Sequence, residues 1–157
     1  MKLLREWKKV FESDLESILI ELKDTIEVPA VIILSGEMGV GKTTFTKAFA
    51  LSEVDDPSTV QSPTYSIINE TGSIVHADFY RLNDSSEIIH LELPLYLEDK
   101  EFFLVEWGKA HLEELRKHID DDFFFYEIII SANINKDNSD NNLNVSRNYS
   151  LFDLKEN

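Results

Sequence analysis

Residues Gly36 to Thr43 read G-E-M-G-V-G-K-T, the pattern G-x-x-x-x-G-K-[ST]. The apolar run Ala30-Val31-Ile32-Ile33-Leu34 precedes it directly, and Thr44-Phe45-Thr46-Lys47-Ala48-Phe49-Ala50 follows. That order demands a buried strand, a tight loop with its N–H groups turned inward, and a helix starting near Lys42. In such a loop the backbone of Gly36, Glu37, Met38, Gly39, Val40 and Gly41 wraps phosphate oxygens. Lys42 reaches the β- and γ-phosphates, the Thr43 hydroxyl ligates Mg²⁺, and Thr44 continues the helix start beside them. The expectation is a nucleotide-binding α/β protein.

The remaining pattern fits that frame. Ser13-Asp14-Leu15-Glu16 has the form of a capping box, and Leu15, Ile18, Leu19, Leu22 and Ile26 follow at helical spacing, predicting a helix to about residue 26. After the loop a helix is expected to about Ser52. Tyr65 to Asn69 and Ser73 to Ala77, joined by Thr71-Gly72, read as an antiparallel hairpin. A short helix is expected around 84–90 and another over 109–118. The continuous apolar run Glu101 to Val105 predicts a central strand, Phe123 to Ile130 a second, and Asn144 to Leu154 a last one. Phe123, Phe124, Phe125 and Tyr126 read as core and sheet-face residues, and one of Phe79 and Tyr80 is expected inside. The sum is a three-layer α/β sandwich of P-loop NTPase type, its mixed sheet parallel near the loop and carrying the antiparallel hairpin. A single domain over 1–157 is expected, with 139–157 a partly ordered tail or last strand.

A phosphate loop needs a carboxylate for Mg²⁺ at a neighbouring strand end. Two candidates end apolar runs: Asp78 after Val75-His76-Ala77, and Glu106 after Leu104-Val105. His76-x-Asp78 has the spacing of two ligands on one strand face, yet no third ligand is apparent, so His76 reads as a packing or supporting residue.

Composition limits the partners. Thirty acidic residues face 15 basic ones, a formal charge of −15. Tight unaided binding to nucleic acid needs a basic stripe that releases counterions, and this chain is poorly supplied for it. There is no cysteine, which excludes disulfides and thiolate metal sites. The N-terminus Met1 to Glu6 carries no signal-peptide pattern and no apolar run reaches membrane-spanning length, so a cytoplasmic location without membrane contact is the expectation.

The string GEMGVGKTTF, then Ser62-Pro63-Thr64-Tyr65, then His76-Ala77-Asp78-Phe79-Tyr80-Arg81-Leu82, then Val105-Glu106-Trp107, resembles in order and spacing the bacterial ATPase subunit of the tRNA threonylcarbamoyladenosine machinery, the TsaE or YjeE family. The likeness runs from about residue 10 to residue 110. It implies ATP and Mg²⁺ as ligands, with Glu106 and Thr43 on the metal and Trp107 beside the nucleotide. It further implies that Asp78 orients water or binds metal through water, that Thr64 senses the γ-phosphate, and that Phe11 and Ser13 lie where the base is covered. Glu37 stands where the family usually has Asp, and Lys109 where it often has an acid. The implied partners are the TsaB-like and TsaD-like subunits, tRNA being met only through them.

Other protein classes compete for the same residues. A small-molecule kinase clamps the migrating phosphoryl group with arginines, and of Arg5, Arg81, Arg116 and Arg147 only Arg81 follows a predicted strand end closely. In the looser family match beyond Phe123, the resemblance implies that Arg147 corresponds to a basic residue near the site. Asn135-Lys136-Asp137-Asn138 nearly imitates the guanine-reading N-K-x-D of GTPases but ends in Asn. A binding protein without turnover is the remaining reading.

Overall fold

The computed structural model describes residues 1–59, 67–133 and 145–156. Its centre is one seven-stranded sheet in the order β1-β7-β6-β2-β5-β4-β3. The strands are β1 (Lys2–Val10), β2 (Ala30–Ser35), β3 (Ile68–Thr71), β4 (Ile74–Asp78), β5 (Phe102–Glu106), β6 (Phe124–Ala132) and β7 (Arg147–Asp153). β2 runs parallel to both β5 and β6, and β4 runs parallel to β5. β3 pairs antiparallel with β4, and β7 antiparallel with β6 and β1. The sandwich with a parallel centre and an antiparallel hairpin is therefore present as expected.

Strand alternation feeds two cores. One face of β2 and β5 (Ala30, Ile32, Leu34, Phe102, Leu104) meets the helices α1 (Leu15–Thr25) and α2 (Lys42–Ser52). α1 presents Leu15, Ile18, Leu19 and Leu22, the i, i+3, i+4, i+7 stripe of an amphipathic helix. Phe49 of α2 meets Phe102 edge-on with ring centroids 4.9 Å apart. The opposite face (Val31, Ile33, Phe103, Val105) is covered by Ile88, by Leu93 and Leu97 of α3 (Leu93–Leu97), and by Leu115 of α4 (Leu112–His118). The unbroken apolar runs Ala30 to Leu34 in β2 and Phe102 to Val105 in β5 are what a strand covered on both faces requires.

Several local expectations are corrected. The Ser13–Glu16 box does not form: Glu12–Asp14 is a 3₁₀ turn, and Asp14 Oδ2 instead accepts the Phe11 N–H at 3.0 Å. The true capping box lies later, where Asp84 accepts from Ser86 N and Glu87 takes the Asp84 N–H at 3.1 Å. The segment expected as a helix near 84–90 is 3₁₀ over Ser85–Leu91, and α3 follows it unannounced. The helix expected over 109–118 opens as a 3₁₀ turn, Lys109–His111. The β3–β4 hairpin starts at Ile68, and Tyr65 lies outside the described residues. Two expectations hold: Phe125 and Tyr126 are core residues with Phe124 exposed on the sheet, and of Phe79 and Tyr80 one, Phe79, lies inside. Among the described residues no helix is long and apolar enough to cross a membrane.

β1 was not expected at all. It is an edge strand held by β7, with Trp7 and Val10 turned into the core. Trp7 Nε1 donates to Glu21 Oε2 of α1 at 2.6 Å, and the Arg5 guanidinium lies over the indole. Trp7→Ala is expected to cost about 3 kcal/mol, at the lower end for a large buried aromatic. The urea midpoint should fall accordingly. A shift within error would mean that β1 is not part of the cooperative fold.

Candidate functional site

The site gathers at the carboxyl ends of the parallel strands. Register pairs Leu34 with Glu106 and Asp78 with Glu106, so β2, β4 and β5 finish side by side. The loop after β2 arches back into α2, whose first residue is Lys42. Two glycines are dictated by geometry. At Gly36 a Cβ would lie 2.6 Å from Ile130 O, and at Gly41, with φ of +117°, one would lie 2.7 Å from Arg147 Nε. That close approach lets Arg147 Nε donate to Val40 O at 2.5 Å, tying the loop to β7.

Lys42 is buried, and its Nζ donates to Gly36 O at 2.6 Å and Glu37 O at 3.4 Å. The ammonium also lies 3.8 Å from the centroid of the Trp107 ring, a cation–π contact. Burial pushes the lysine below its ordinary pKa, against the opposing pull of the Glu106 and Asp78 carboxylates. Trp107 takes a φ of +59°, a conformation costly for a bulky side chain and held here between β5 and the next turn. Tyr80 packs on the Trp107 ring with centroids 5.2 Å apart.

Glu106 is 3% exposed, and Thr43 Oγ1 donates to its Oε1 at 3.2 Å. His76 Nε2 meets the other oxygen, Oε2, at 2.7 Å. Asp78 is exposed, and its Oδ1 accepts the Tyr80 N–H at 3.0 Å. A cavity of about 330 Å³ is walled by Met38, Gly39, Gly41, Lys42, Thr43 and Thr44 on the loop side and by Asp78, Tyr80, Glu106 and Trp107 opposite. Thr44 also borders a larger groove of about 970 Å³ between α1 and α2, which Ser13, Lys23 and Lys47 line. The sequence-expected residues thus divide. Lys42, Thr43, Thr44, Asp78, Glu106, Trp107, Met38, Gly39 and Gly41 meet in one cavity. Gly36, Glu37 and Val40 support it through their backbones. Ser13 lies in the adjoining groove, and Phe11 is exposed and lines neither that groove nor the cavity. Thr64, with Ser62, Pro63 and Tyr65, lies outside the described residues, as does Asn135 to Asn138. Among the described residues no three His, Asp or Glu side chains come together as a metal centre, so Thr43 and Glu106 alone would leave most of a metal's coordination to phosphate and water.

Sequence reasoning missed Glu127. It is 2% exposed on β6, accepts Ser35 Oγ at 2.7 Å and pairs with Lys109 Nζ at 3.0 Å. A second chamber of about 640 Å³ lies there, sharing Lys42 and Trp107 with the first cavity. One polar residue in the apolar run Phe123 to Ile130 was its only signal.

A phosphate loop between a central parallel strand and a helix, facing a carboxylate on the neighbouring strand, defines a P-loop NTPase-like protein. Residues 11–140 match the family described as threonylcarbamoyl adenosine biosynthesis protein TsaE, and the chain belongs to that family. A relative from Haemophilus influenzae, named tRNA threonylcarbamoyladenosine biosynthesis protein TsaE, is 33% identical over 126 residues, 73% of this chain and 79% of the relative. A protein of the same name from Aquifex aeolicus is 39% identical over 89 residues, 54% of this chain and 67% of the relative. The Bacillus subtilis relative is 43% identical over 88 residues, but the match spans only 52% of that protein. The crystal structure of Bacillus subtilis YdiB superposes with a TM-score of 0.61 over 99% of this chain and 89% of that one; at 22% identity the likeness is one of fold.

Proposed function

We propose that this chain is an ATP-hydrolysing accessory subunit of tRNA threonylcarbamoyladenosine synthesis, whose cycle resets a TsaB–TsaD-like pair. One observation carries the reading: Lys42, Thr43 and Glu106 converge on one cavity at the carboxyl ends of β2 and β5, in a chain of the TsaE family. The Thr43 hydroxyl and the Glu106 carboxylate are the hard oxygen donors that Mg²⁺ takes, and they lie within one coordination sphere of each other. Mg²⁺, when bound, would neutralise charge on the β- and γ-phosphates. Loop N–H groups and the start of α2 would hold the phosphates, and Lys42 would turn its ammonium from the loop carbonyls to the γ-phosphate. Asp78, with one oxygen fixed by the Tyr80 N–H, would orient the attacking water. Thr64 would sense the γ-phosphate. The groove lined by Ser13 would receive the base, with Phe11 over it and Trp107 on the phosphate side.

A formal charge of −15 supports leaving the tRNA to the partners, in the cytoplasm. The test measures phosphate release by the chain alone and mixed with a TsaB–TsaD pair. Low turnover alone and clear stimulation in the mixture are expected. A mixture no faster than the isolated chain would remove the assigned role.

A further inference from the structure

We infer that His76 is the positioning residue of the metal carboxylate. It fixes the rotamer of Glu106 so that Oε1, beside Thr43, is the oxygen offered to Mg²⁺. The inference rests on the proposed Mg²⁺–nucleotide site and assigns a role to a side chain outside it. β4 and β5 are parallel, with His76 opposite Leu104 and Asp78 opposite Glu106. Alternation therefore sets His76, Asp78 and Glu106 on the face that α2 covers, with His76 one diagonal step from Glu106. From there the imidazole reaches the carboxylate, Nε2 to Oε2 at 2.7 Å. His76 does not line the phosphate cavity, whereas Glu106 does. It acts on the ligand and not on the nucleotide.

Chemistry fixes the direction of that bond. A carboxylate that ligates a metal presents only lone pairs, so His76 Nε2 carries the hydrogen and donates it. With Oε2 held there and Oε1 beside the Thr43 hydroxyl, both oxygens of a 3%-exposed carboxylate are engaged. The competing partner is close by. The Glu106 charge already acts on the buried Lys42 ammonium, and a carboxylate released from His76 would turn toward it. Such a turn would withdraw the carboxylate from the metal while leaving the loop contacts to the phosphates in place. The partners that orient metal ligands commonly set affinity by 10–100-fold.

The experiment follows binding of a non-hydrolysable ATP analogue by calorimetry, with MgCl₂ titrated from zero and with EDTA. In His76→Phe, which keeps the ring and loses the donor, the Mg²⁺ concentration for half-maximal enhancement of binding should rise at least roughly tenfold. Affinity in EDTA should stay within about twofold, because the loop contacts are unchanged. His76→Gln, which retains an N–H donor, should recover most of the Mg²⁺ response. Thermal melts of both variants establish that each is folded. Equal loss of affinity with Mg²⁺ and in EDTA, or an unchanged Mg²⁺ response in a folded His76→Phe, overturns the assignment. A wild-type chain whose binding ignores Mg²⁺ altogether would instead overturn the proposed site, a distinguishable result.

Discussion

Lys42→Met is expected to slow ATP hydrolysis by roughly 10²–10³-fold, the loss typical of one preorganised charge at a transferring group, while the variant melts no lower than wild type. The two halves have one cause. Lys42 is buried, and burial holds its ammonium below the ordinary lysine pKa. A charge kept out of water for catalysis weighs on the fold. Its donors go to the carbonyls of Gly36 and Glu37, on a half-buried and an exposed residue that water can reach in the variant. Methionine follows the same path and keeps contact with the Trp107 ring. The pH dependence has a definite sign. A lowered folded pKa means that the unfolded chain binds the proton more tightly, so wild-type stability rises with pH from the folded pKa up to the unfolded value. The variant's advantage is therefore fully present at neutral pH and narrows in the alkaline range. Calorimetric melts at neutral and alkaline pH, alongside phosphate release, decide it. A melt several degrees below wild type would make Lys42 a structural residue.

What the chain discloses of itself depends on how local the determinants are. The loop and its flanks were legible because the glycine positions, the apolar β2 and the lysine at the start of α2 follow one another in sequence, and the geometry is local. β5 and β6 were legible as apolar runs too dense for a half-exposed strand. β1 was not. Its inward residues Trp7 and Val10 are three apart, and register shifts beside Arg5 and between Trp7 and Val10, with Lys9 at φ of +53°, erase the two-residue period of a strand. Ser13-x-x-Glu16 misled for the opposite reason. The motif is complete, but a 3₁₀ turn at Glu12–Asp14 gave the capping role to Asp14. Within the site, Asp78 and Glu106 were visible as acids closing apolar runs, whereas the His76–Glu106 and Glu127–Ser35 bonds exist only once strands distant in sequence are laid in register. Strand order is a tertiary fact, and residues that support one another across strands carry no motif of their own.

Glu106→Gln should separate metal binding from everything else the residue does. Glutamine keeps the shape, can accept from Thr43 at one end, and at the other meets His76, whose ring can exchange tautomers to accept the new N–H. The fold should therefore be retained, with the melting temperature near wild type. What is lost is a negative charge, which acts in two opposed ways. It holds Mg²⁺, and without the metal it repels the phosphates that Lys42 and the loop attract. Removing it is expected to lower turnover by roughly 10²–10³-fold. In EDTA the nucleotide should bind at least as tightly as to wild type, because the repulsion is gone. The Mg²⁺ enhancement of binding should nearly vanish, and in the double variant His76→Phe with Glu106→Gln the loss of His76 should add nothing further, as for two residues acting through one ligand. Calorimetric titrations of the four proteins with the non-hydrolysable analogue measure both arms. A Glu106→Gln chain that keeps the full Mg²⁺ response would move the metal to Asp78, whose exposed carboxylate ends the neighbouring strand directly opposite Glu106.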